Sequence, residues 1–368
     1  MTHVFFNPVR SVYGVGSLTS LTALVDGRKA ALVTFPEARA LGLVHRIEQL
    51  LGPSLVQVID DVRPNPDVRE LRALYEAFWG APEQADLLIA VGGGSAIDTA
   101  KALMVGTTDG SFGELIRALE AGKGFTPTRL KPLIAVPTTA GTGSEVTPWA
   151  TIWDQAAQKK YSLHLPQTWP SVALLDPELM LSLPASVTLQ SGLDALSHAL
   201  EAIWNVNANP VSDTFAVAAV QEIFATLPAL MGALNNVQLR GRMALAALKA
   251  GMAFSNTRTA LAHSISYEMT LRHGLPHGIA CAFPLPLVLA RAIGRDAARD
   301  AVLQQALGPL TDAPGRLSAF IEGLGVGTHF ADYGVSDAEA ERMVAHALTG
   351  ARGRNFIGSA PALEAEAA

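Results

Sequence analysis

The amino-acid sequence predicts an α/β domain with a parallel sheet, followed by an all-α domain. In the first half, short apolar runs alternate with stretches of helical periodicity, a pattern typical of βαβ units. From about Leu183 the strand pattern ends and long segments rich in Ala and Leu follow. The 368 residues are enough for about two domains. We therefore predict domains 1–182 and 183–368, with the boundary near Pro177–Pro184.

Each predicted element rests on its own pattern. Short apolar runs bounded by polar residues predict buried strands, and connecting helices make such strands parallel. Short segments with Asn and Pro, which end helices, divide the second half into several helices. These segments are Asn205–Pro210, Asn235–Asn236 and Asn256. The predicted strands are Ala30–Thr34, Leu55–Ile59, Leu87–Val91 and Leu133–Val136, and the predicted helices of the first half are Glu37–Leu51 and Asp67–Trp79.

Composition and charge exclude several classes of protein. The chain has 27 Lys and Arg residues against 33 Asp and Glu residues, a net charge of −6, and no dense basic run, which argues against a nucleic-acid partner. No stretch reaches about 18 consecutive apolar residues, so we expect no membrane span. The N-terminus lacks the pattern of a signal peptide and Cys281 is the single cysteine, so we expect a cytoplasmic protein without an intramolecular disulfide.

A glycine-rich turn follows the predicted strand Leu87–Val91. Gly92, Gly93 and Gly94 lead into a helix that Ser95 opens, with Asp98 as the predicted capping partner. Residues without side chains let a pyrophosphate approach the N–H groups of a helix N-terminus. A tight turn without a ligand also fits, because neither a G-x-G-x-x-G motif nor a Walker motif is present.

A second turn, Pro137–Ser144, follows the strand Leu133–Val136. It offers hydroxyl groups and flexible glycines at the carboxyl edge of the sheet, where open α/β folds place their ligands. An ordinary Ser/Thr turn is the alternative. Together the two turns favour dinucleotide binding, and the candidate hydroxyls belong to Thr138, Thr139, Thr142 and Ser144.

Four residues of the second half form a candidate metal site. Asp194 and His198 are four apart on a predicted helix and share one face, although a surface ion pair has the same spacing. His263 and His277 lie in apolar surroundings, where an unpartnered imidazole would be costly. One Asp and three His predict a site for Fe²⁺ or Zn²⁺. Cys281 follows His277 by four, but we expect a small buried thiol there and no ligand.

In their order and spacing, these motifs resemble those of the group III, iron-containing alcohol dehydrogenases over nearly the whole chain. The resemblance implies a dinucleotide-binding domain, a helical metal-binding domain of the dehydroquinate synthase-like kind, and an active site between them. It also implies that Asp194, His198, His263 and His277 are the metal ligands. The residues that it places near NAD(P)H are Gly93, Gly94, Ser95, Asp98, Thr138, Thr139, Thr142, Ser144, Lys160 and Leu179.

Two positions depart from the family pattern. Tyr267 stands where many members have a second histidine that relays a proton. A phenol can donate that proton, or Tyr267 is a packed aromatic and water or the cofactor ribose takes the role. Phe35 follows the strand Ala30–Thr34, where members that prefer NAD often carry an acidic residue. Because Phe35 has no carboxylate to repel a 2′-phosphate, we expect NADPH to be accepted alongside NADH, unless the nearby Glu37 carboxylate repels that phosphate.

The segment Leu261–Cys281 most resembles the hydroxyethylphosphonate dehydrogenase (phosphonoacetaldehyde reductase) subgroup. The resemblance implies NAD(P)H-linked reduction of a small aldehyde, with phosphonoacetaldehyde as the candidate. Arg258 and Arg272 flank the implied ligands and would hold the phosphonate, unless they form surface salt bridges. We predict Tyr267 and His273 as catalytic residues, and a protonated His273 would add a further donor to the phosphonate.

Two other functions remain open at this point. A carbon–oxygen lyase of dehydroquinate-synthase architecture would also use NAD and a metal, but it would need a more basic pocket. A nucleotide-binding paralogue without chemistry is the non-enzyme alternative, and retention of all four candidate ligands argues against it. The helical domain, rich in Ala and Leu, could present the surface of a homodimer.

Overall fold

A computed structural model describes residues 2–81, 84–108, 110–121, 125–157 and 159–359. The chain divides into two compact units. The sheet unit comprises Asn7–Leu183 and Asn235–Ala244, and the helical unit comprises Met1–Phe6, Pro184–Leu234 and Leu245–Ala368. As limits of independently folding domains, 1–182 and 183–368 stay a prediction.

A six-stranded parallel sheet with the strand order β1-β10-β7-β4-β2-β3 forms the centre of the sheet unit. All four predicted strands are present, whereas β1, β10 and the antiparallel hairpin β8–β9 were not predicted. The strands are β1 Arg10–Tyr13, β2 Ala30–Thr34, β3 Leu55–Ile59, β4 Leu87–Gly92, β5 Val105–Gly106, β6 Arg129–Leu130, β7 Leu133–Pro137, β8 Trp149–Asp154, β9 Lys159–His164 and β10 Val172–Leu175.

The central strands are buried on both faces, which explains their uninterrupted apolar sequence. In β2, Ala31 and Val33 belong to one hydrophobic core, and Ala30 and Leu32 belong to another. This alternation is the two-residue period of a strand. The predicted α/β domain is therefore confirmed, with one core on each side of the sheet.

Among the described residues of the sheet unit before Leu183, five α-helices accompany the sheet. The predicted helix Glu37–Leu51 is wrong in its first part, because Gly42 adopts a left-handed conformation (φ 72°) and α2 begins only after it. The other predicted helix is confirmed: the Asp67 carboxylate accepts a hydrogen bond from the Arg69 N–H and caps α3. The helices are α1 Leu21–Val25, α2 Leu43–Leu51, α3 Val68–Gly80, α4 Gly94–Leu103 and α5 Phe112–Glu120.

The strand order places a topological switch point between β2 and β4. From β2 the chain proceeds to β3 at the sheet edge, whereas from β4 it proceeds to β7 on the opposite side. Open α/β sheets bind ligands outside the carboxyl ends of the strands at such a point. The turn Gly92–Gly94 directly follows β4 and therefore lies at this position.

The helical unit confirms the predicted all-α character of the second half. Helix α6 packs against α7 and α10, and α9 packs against α10 and α14. Residues of α8 up to Ala244 belong to the sheet unit. The helices are α6 Ala185–Ile203, α7 Pro210–Met231, α8 Val237–Thr257, α9 Leu261–His273, α10 His277–Ala282, α11 Leu285–Ala292, α12 Ala297–Leu307, α13 Ala313–Gly323 and α14 Asp337–Thr349.

Helix α7 is long and apolar enough to cross a membrane, judged by length and composition alone. The sequence had led us to expect no such segment. However, its Asp213 carboxylate accepts hydrogen bonds from Arg299 of α12 at 2.6 and 2.9 Å, and one of its faces packs on α6. Since the core helix of a soluble protein passes the same test, a single helix of this kind is weak evidence for a membrane span.

Candidate functional site

The two predicted cofactor turns touch each other in the sheet unit. The Thr138 N–H donates to the Gly92 carbonyl at 2.9 Å, since β4 and β7 are neighbours. A Cβ atom added to Gly94 would lie 2.8 Å from Cγ2 of Thr142, and one added to Gly93 would lie 3.3 Å from Cγ2 of Thr139. The turn Pro137–Ser144, called the threonine loop below, therefore approaches the glycine turn Gly92–Gly94 so closely that Gly94 has no room for a side chain.

The predicted capping pair of Ser95 and Asp98 is wrong. Helix α4 has Gly93 at its N-cap, and no side chain caps it. The Ser95 hydroxyl instead accepts a hydrogen bond from the Asn65 N–H at 3.1 Å. A helix start without a capping side chain leaves its first N–H groups to another acceptor, and an anion suits that place.

Asp98 and Ser144 belong to a polar network behind the turns. The Ser144 hydroxyl donates to Oδ1 of Asp98 at 2.7 Å, and Nζ of Lys101 donates to Ser144 Oγ at 2.8 Å and to the Trp149 carbonyl at 2.7 Å. Burial raises the pKa of Asp98 and lowers the pKa of Lys101 to about 8. This network ties α4 to the loop that contains Ser144.

The remaining predicted cofactor residues lie in the same unit. Lys160 of β9 holds its ammonium 4.9 Å from the centre of the Trp153 ring. Leu179 is buried in the short helical turn that follows β10. All ten predicted residues thus belong to the sheet unit, and their contact with a cofactor stays a prediction.

In the helical unit, four side chains bring donor atoms within 4.8 Å of one another: Asp194, His263, His277 and Cys281. Oδ1 of Asp194 lies 3.6 Å from Nε2 of His263 and 4.0 Å from Nε2 of His277. Among the described residues, neither Asp194 Oδ1 nor His263 Nε2 has a hydrogen-bond partner, although both are buried. Buried polar atoms without partners are costly, and a bound cation would satisfy them, so this donor set fits a divalent metal ion.

The electrostatics of Asp194 suit a cation. Burial by itself would raise the pKa of this carboxyl group, but the imidazoles of His198, His263 and His277 outweigh that effect. They hold the pKa of Asp194 well below its usual range. The carboxylate is therefore ionised at neutral pH.

His198 is buried at the edge of this cluster. Its Nδ1 atom is 3.9 Å from Oδ1 of Asp194, and its ring stacks between the rings of Phe254 and His263, with centroids 4.1 and 4.6 Å away. The structure thus brings all four predicted ligands together around Asp194, and their role as metal ligands stays a prediction. The sulfur of Cys281 also lies in this group, where the sequence predicts a buried thiol.

A close contact between α10 and α6 positions this donor set. A Cβ atom added to Gly278 would lie 2.0 Å from the carbonyl oxygen of Gln190, so only glycine allows this approach. Because His277 and Cys281 are one turn apart, both share the face of α10 that lies toward Asp194. No motif of the sequence singles out Gly278.

Glu201 is a further residue that the sequence analysis missed. It is fully buried, and its Oε2 atom lies 2.7 Å from Nδ1 of His263. Its carboxylate also accepts hydrogen bonds from the N–H groups of Ala260 and Ala262, where α9 begins. Its position three residues after His198 on the same helix was the signal that could have found it.

The predicted catalytic residues lie on α9. Tyr267 is half-buried, and the guanidinium of Arg352 lies 4.8 Å from the centre of its ring. Nε2 of His273 lies 3.6 Å from Oε1 of Glu339. Neither residue belongs to the group of four donor atoms.

Arg258, Arg272 and Arg352, which lie in this unit, differ in their surroundings. Arg272 is 67% exposed and donates to Glu268 at 2.5 Å, the surface salt bridge that the sequence left open as an alternative. Arg258 is exposed and has a left-handed backbone (φ 69°). Arg352 is half-buried, and no carboxylate of the described residues forms a salt bridge with it. The sequence analysis did not identify Arg352, because no motif surrounds it.

Comparison with known protein families decides the identity of the chain. Residues 8–177 match the family described as iron-containing alcohol dehydrogenase, and residues 188–358 match the C-terminal domain of the Fe-containing alcohol dehydrogenase family. The chain belongs to this family. It is therefore an oxidoreductase of a family that uses NAD(P) and iron, as its resemblance to the group III enzymes had implied.

Individual relatives have several names. The chain is 34% identical to 1,3-propanediol dehydrogenase of Citrobacter freundii, over 88% of this chain and 86% of that protein. It is 31% identical to phosphonoacetaldehyde reductase of Streptomyces viridochromogenes, over 95% and 92%. The structure of sulfoacetaldehyde reductase from Bifidobacterium kashiwanohense in complex with NAD⁺ matches with a TM-score of 0.87 at 28% identity, over 97% and 94%. The last match also supports the predicted two-part fold.

Proposed function

We propose that this iron-type alcohol dehydrogenase reduces a small aldehyde that bears an anionic group, with phosphonoacetaldehyde, which yields 2-hydroxyethylphosphonate, as the first candidate. The observation that carries the reductase chemistry is the buried donor cluster around Asp194 in a chain of this family. The substrate class rests on two relatives. One is named for an aldehyde with a phosphonate group and the other for an aldehyde with a sulfonate group.

Asp194, His198, His263 and His277 are the residues that would hold the metal ion. A bound divalent cation polarises a carbonyl oxygen, and reduced nicotinamide supplies the hydride. Tyr267 is one helical turn from His263 on α9, and its phenol can donate a proton to the oxygen that gains charge. His273, the last residue of α9 and four positions before His277, is the second candidate for proton transfer.

The glycine turn would hold the pyrophosphate of the cofactor. The uncapped start of α4 supplies N–H groups, and the threonine loop supplies hydroxyls beside them. Phe35 follows the neighbouring strand β2 and has no carboxylate to repel the 2′-phosphate of NADPH.

The anionic group needs a cationic partner. Arg258 and Arg272 remain candidates from their positions in the sequence, but Arg272 already pairs with Glu268. Arg352 is the stronger candidate, because it is half-buried, its guanidinium lies over Tyr267, and no salt bridge within 4.0 Å joins it to a carboxylate among the described residues. A guanidinium binds phosphonate and sulfonate oxygens through paired hydrogen bonds.

Competition between substrates tests the proposal. The metal-loaded protein should show a higher kcat/KM for phosphonoacetaldehyde than for propanal, an uncharged aldehyde of similar size. Arg352→Met should narrow this gap by lowering kcat/KM for phosphonoacetaldehyde only. The same two kcat/KM values, measured for Arg258→Ala and Arg272→Ala, show whether either exposed arginine binds the phosphonate. Equal rates with both aldehydes, unaffected by any arginine variant, would contradict the anionic substrate.

The relative named 1,3-propanediol dehydrogenase favours a second candidate, an uncharged hydroxyaldehyde. Measuring kcat/KM for 3-hydroxypropanal beside phosphonoacetaldehyde and propanal separates the two candidates.

A cytoplasmic location and a homodimer complete the proposal, and light scattering of the purified protein tests the dimer.

A further inference from the structure

Two polar side-chain atoms in the second half of α9 are buried and have no hydrogen-bond partner among the described residues. They are Oγ1 of Thr270 and Nε2 of His273. A buried hydroxyl or imidazole nitrogen without a partner is costly, and an ordered water molecule ordinarily satisfies such a group. We therefore expect bound water at both atoms.

The hydroxyl of Thr270 differs from those of two other helical threonines of this chain. Thr188 and Thr214 each donate from Oγ1 to the carbonyl four residues earlier, at 3.0 Å. That carbonyl is the usual local partner of a threonine in a helix. Thr270 makes no such bond, so its hydroxyl is available to a water molecule.

The polar side chains form a row along α9. Tyr267, Thr270 and His273 follow one another at intervals of three positions, and Tyr267 lies four positions after His263. Residues three or four apart on an α-helix are neighbours on its surface, with Cβ atoms about 5–6 Å apart. Two hydroxyls and an imidazole thus lead from the donor cluster toward the end of the helix, at spacings that water molecules can bridge.

The far end of this row reaches solvent. Nε2 of His273 lies 3.6 Å from Oε1 of Glu339 on α14, which packs against α9. That distance exceeds a normal hydrogen bond. Nε2 itself is buried, whereas the His273 side chain as a whole is 20% exposed. Because an imidazole takes up a proton at one nitrogen and releases one from the other, His273 can connect the buried row with solvent.

We infer that α9 contains a proton relay from solvent to Tyr267, in which His273 and a water molecule at Thr270 replace the proton that the phenol donates. The inference rests on the proposed function, in which that phenol protonates the reduced aldehyde. Thr270 and His273 act through Tyr267 and do not touch the reacting atoms.

The relay moves one proton in each turnover. The Tyr267 phenol gives its proton to the alkoxide, which becomes the alcohol, and is left as phenolate. Protonated His273 then passes a proton to the phenolate through the water at Thr270, and solvent protonates His273 again. One proton from solvent is thus consumed for each hydride that the reduced nicotinamide transfers.

A crystal structure of the full-length protein tests the water positions without any measurement of activity. We expect ordered water within about 3.2 Å of both Thr270 Oγ1 and His273 Nε2. A row without water, with either atom bonded to a protein acceptor instead, would overturn the relay and leave the proposed function intact.

Rapid mixing with NADH and aldehyde tests the transfer itself. Because the resting phenol already holds its proton, the first turnover of His273→Ala should proceed at the wild-type rate. Later turnovers should slow by about 100-fold, the lower end of what a positioned proton donor contributes, so that NADH is consumed in a burst. A residue with a merely structural role would slow the first turnover as well or slow neither.

Two further comparisons separate a relay from a packing role. Imidazole in the buffer should accelerate the later turnovers of His273→Ala but not those of the wild type. Thr270→Val removes the hydroxyl and keeps the shape of the side chain, so it should also produce a burst, and Thr270→Ser should restore the steady rate. Metal content and NADH affinity should stay unchanged in all these variants.

The wild-type protein and an exposed histidine serve as controls. His346→Ala on α14 should show no burst. Steady wild-type rates in both His273→Ala and Thr270→Val would contradict the relay, whereas a wild-type protein that reduces no aldehyde would contradict the proposed function.

Discussion

The two ring nitrogens of His263 face two different carboxylates. Nδ1 lies 2.7 Å from Oε2 of Glu201, and Nε2 lies 3.6 Å from Oδ1 of Asp194. The Glu201 carboxylate also accepts hydrogen bonds from backbone N–H groups at the start of α9. A proton on Nδ1 leaves the lone pair of Nε2 free to bind a cation, so Glu201 orients His263 toward the cluster.

Glu201→Gln should therefore weaken metal binding about 10- to 100-fold, the usual cost of losing a partner that orients a ligand. Competition with a chelator measures this affinity. Glu341→Gln removes the same charge at an exposed site of α14 and should leave metal affinity unchanged. Equal affinity in the wild type and Glu201→Gln would contradict the orienting role.

His263→Ala or His277→Ala should remove a ligand, lower the metal content and reduce turnover by orders of magnitude. Binding of NADH, followed by fluorescence titration, should persist because the predicted cofactor residues belong to the sheet unit. His346→Ala is the matched control, since His346 is exposed on α14. Full metal content and activity in both ligand variants would refute the site.

Local sequence patterns predicted the fold well where burial dictates the residues. The strands β2, β4 and β7 are buried along their whole length and almost entirely apolar, whereas β1, at the sheet edge, has mostly exposed residues and no apolar run. The hairpin β8–β9 was missed as well, since its second strand is mostly polar and exposed.

In the candidate sites, local patterns indicated some residues and missed those whose roles depend on contacts between distant parts of the chain. Spacing along one helix indicated Asp194, and apolar surroundings indicated His263 and His277. Glu201 and Arg352 could not be chosen this way, because their roles depend on contacts with residues about 60 or more positions away in the sequence.

Gly94→Ala should weaken NADH binding. The added methyl group would lie 2.8 Å from Cγ2 of Thr142, so the threonine loop must move away from the start of α4. Titration of NADH fluorescence should show a higher Kd. Gly80→Ala is a suitable control, because a Cβ atom there meets nothing within 4 Å. An unchanged Kd in Gly94→Ala would argue against cofactor binding at this turn.

Phe35 should allow both cofactors to be used. The residue follows β2 and offers no carboxylate to repel a 2′-phosphate, and Phe35→Asp should shift the preference toward NADH. Measurement of kcat/KM with NADH and NADPH checks both statements. A wild-type preference for NADH above about a hundredfold, roughly 2.7 kcal/mol, would show that another group, such as Glu37, excludes the phosphate.

Glu145 should make the stability of the protein depend on pH. Burial raises the pKa of this carboxyl group to about 7, so the folded state binds its proton more tightly than the unfolded chain does. Its contribution to stability is therefore complete below its ordinary pKa and is lost as the pH rises through about 7.

Glu145→Gln removes this titration, so the Tm of the variant minus that of the wild type should increase between about pH 5 and about pH 8. The corresponding gain in unfolding free energy is at most about 3 kcal/mol, and the nearby charge of Lys101 reduces it. Differential scanning calorimetry across this range measures the trend, with Glu37→Gln, at an exposed position, as the control. A difference in Tm that stays constant with pH would mean that Glu145 is ionised throughout, with Lys101 compensating for its burial.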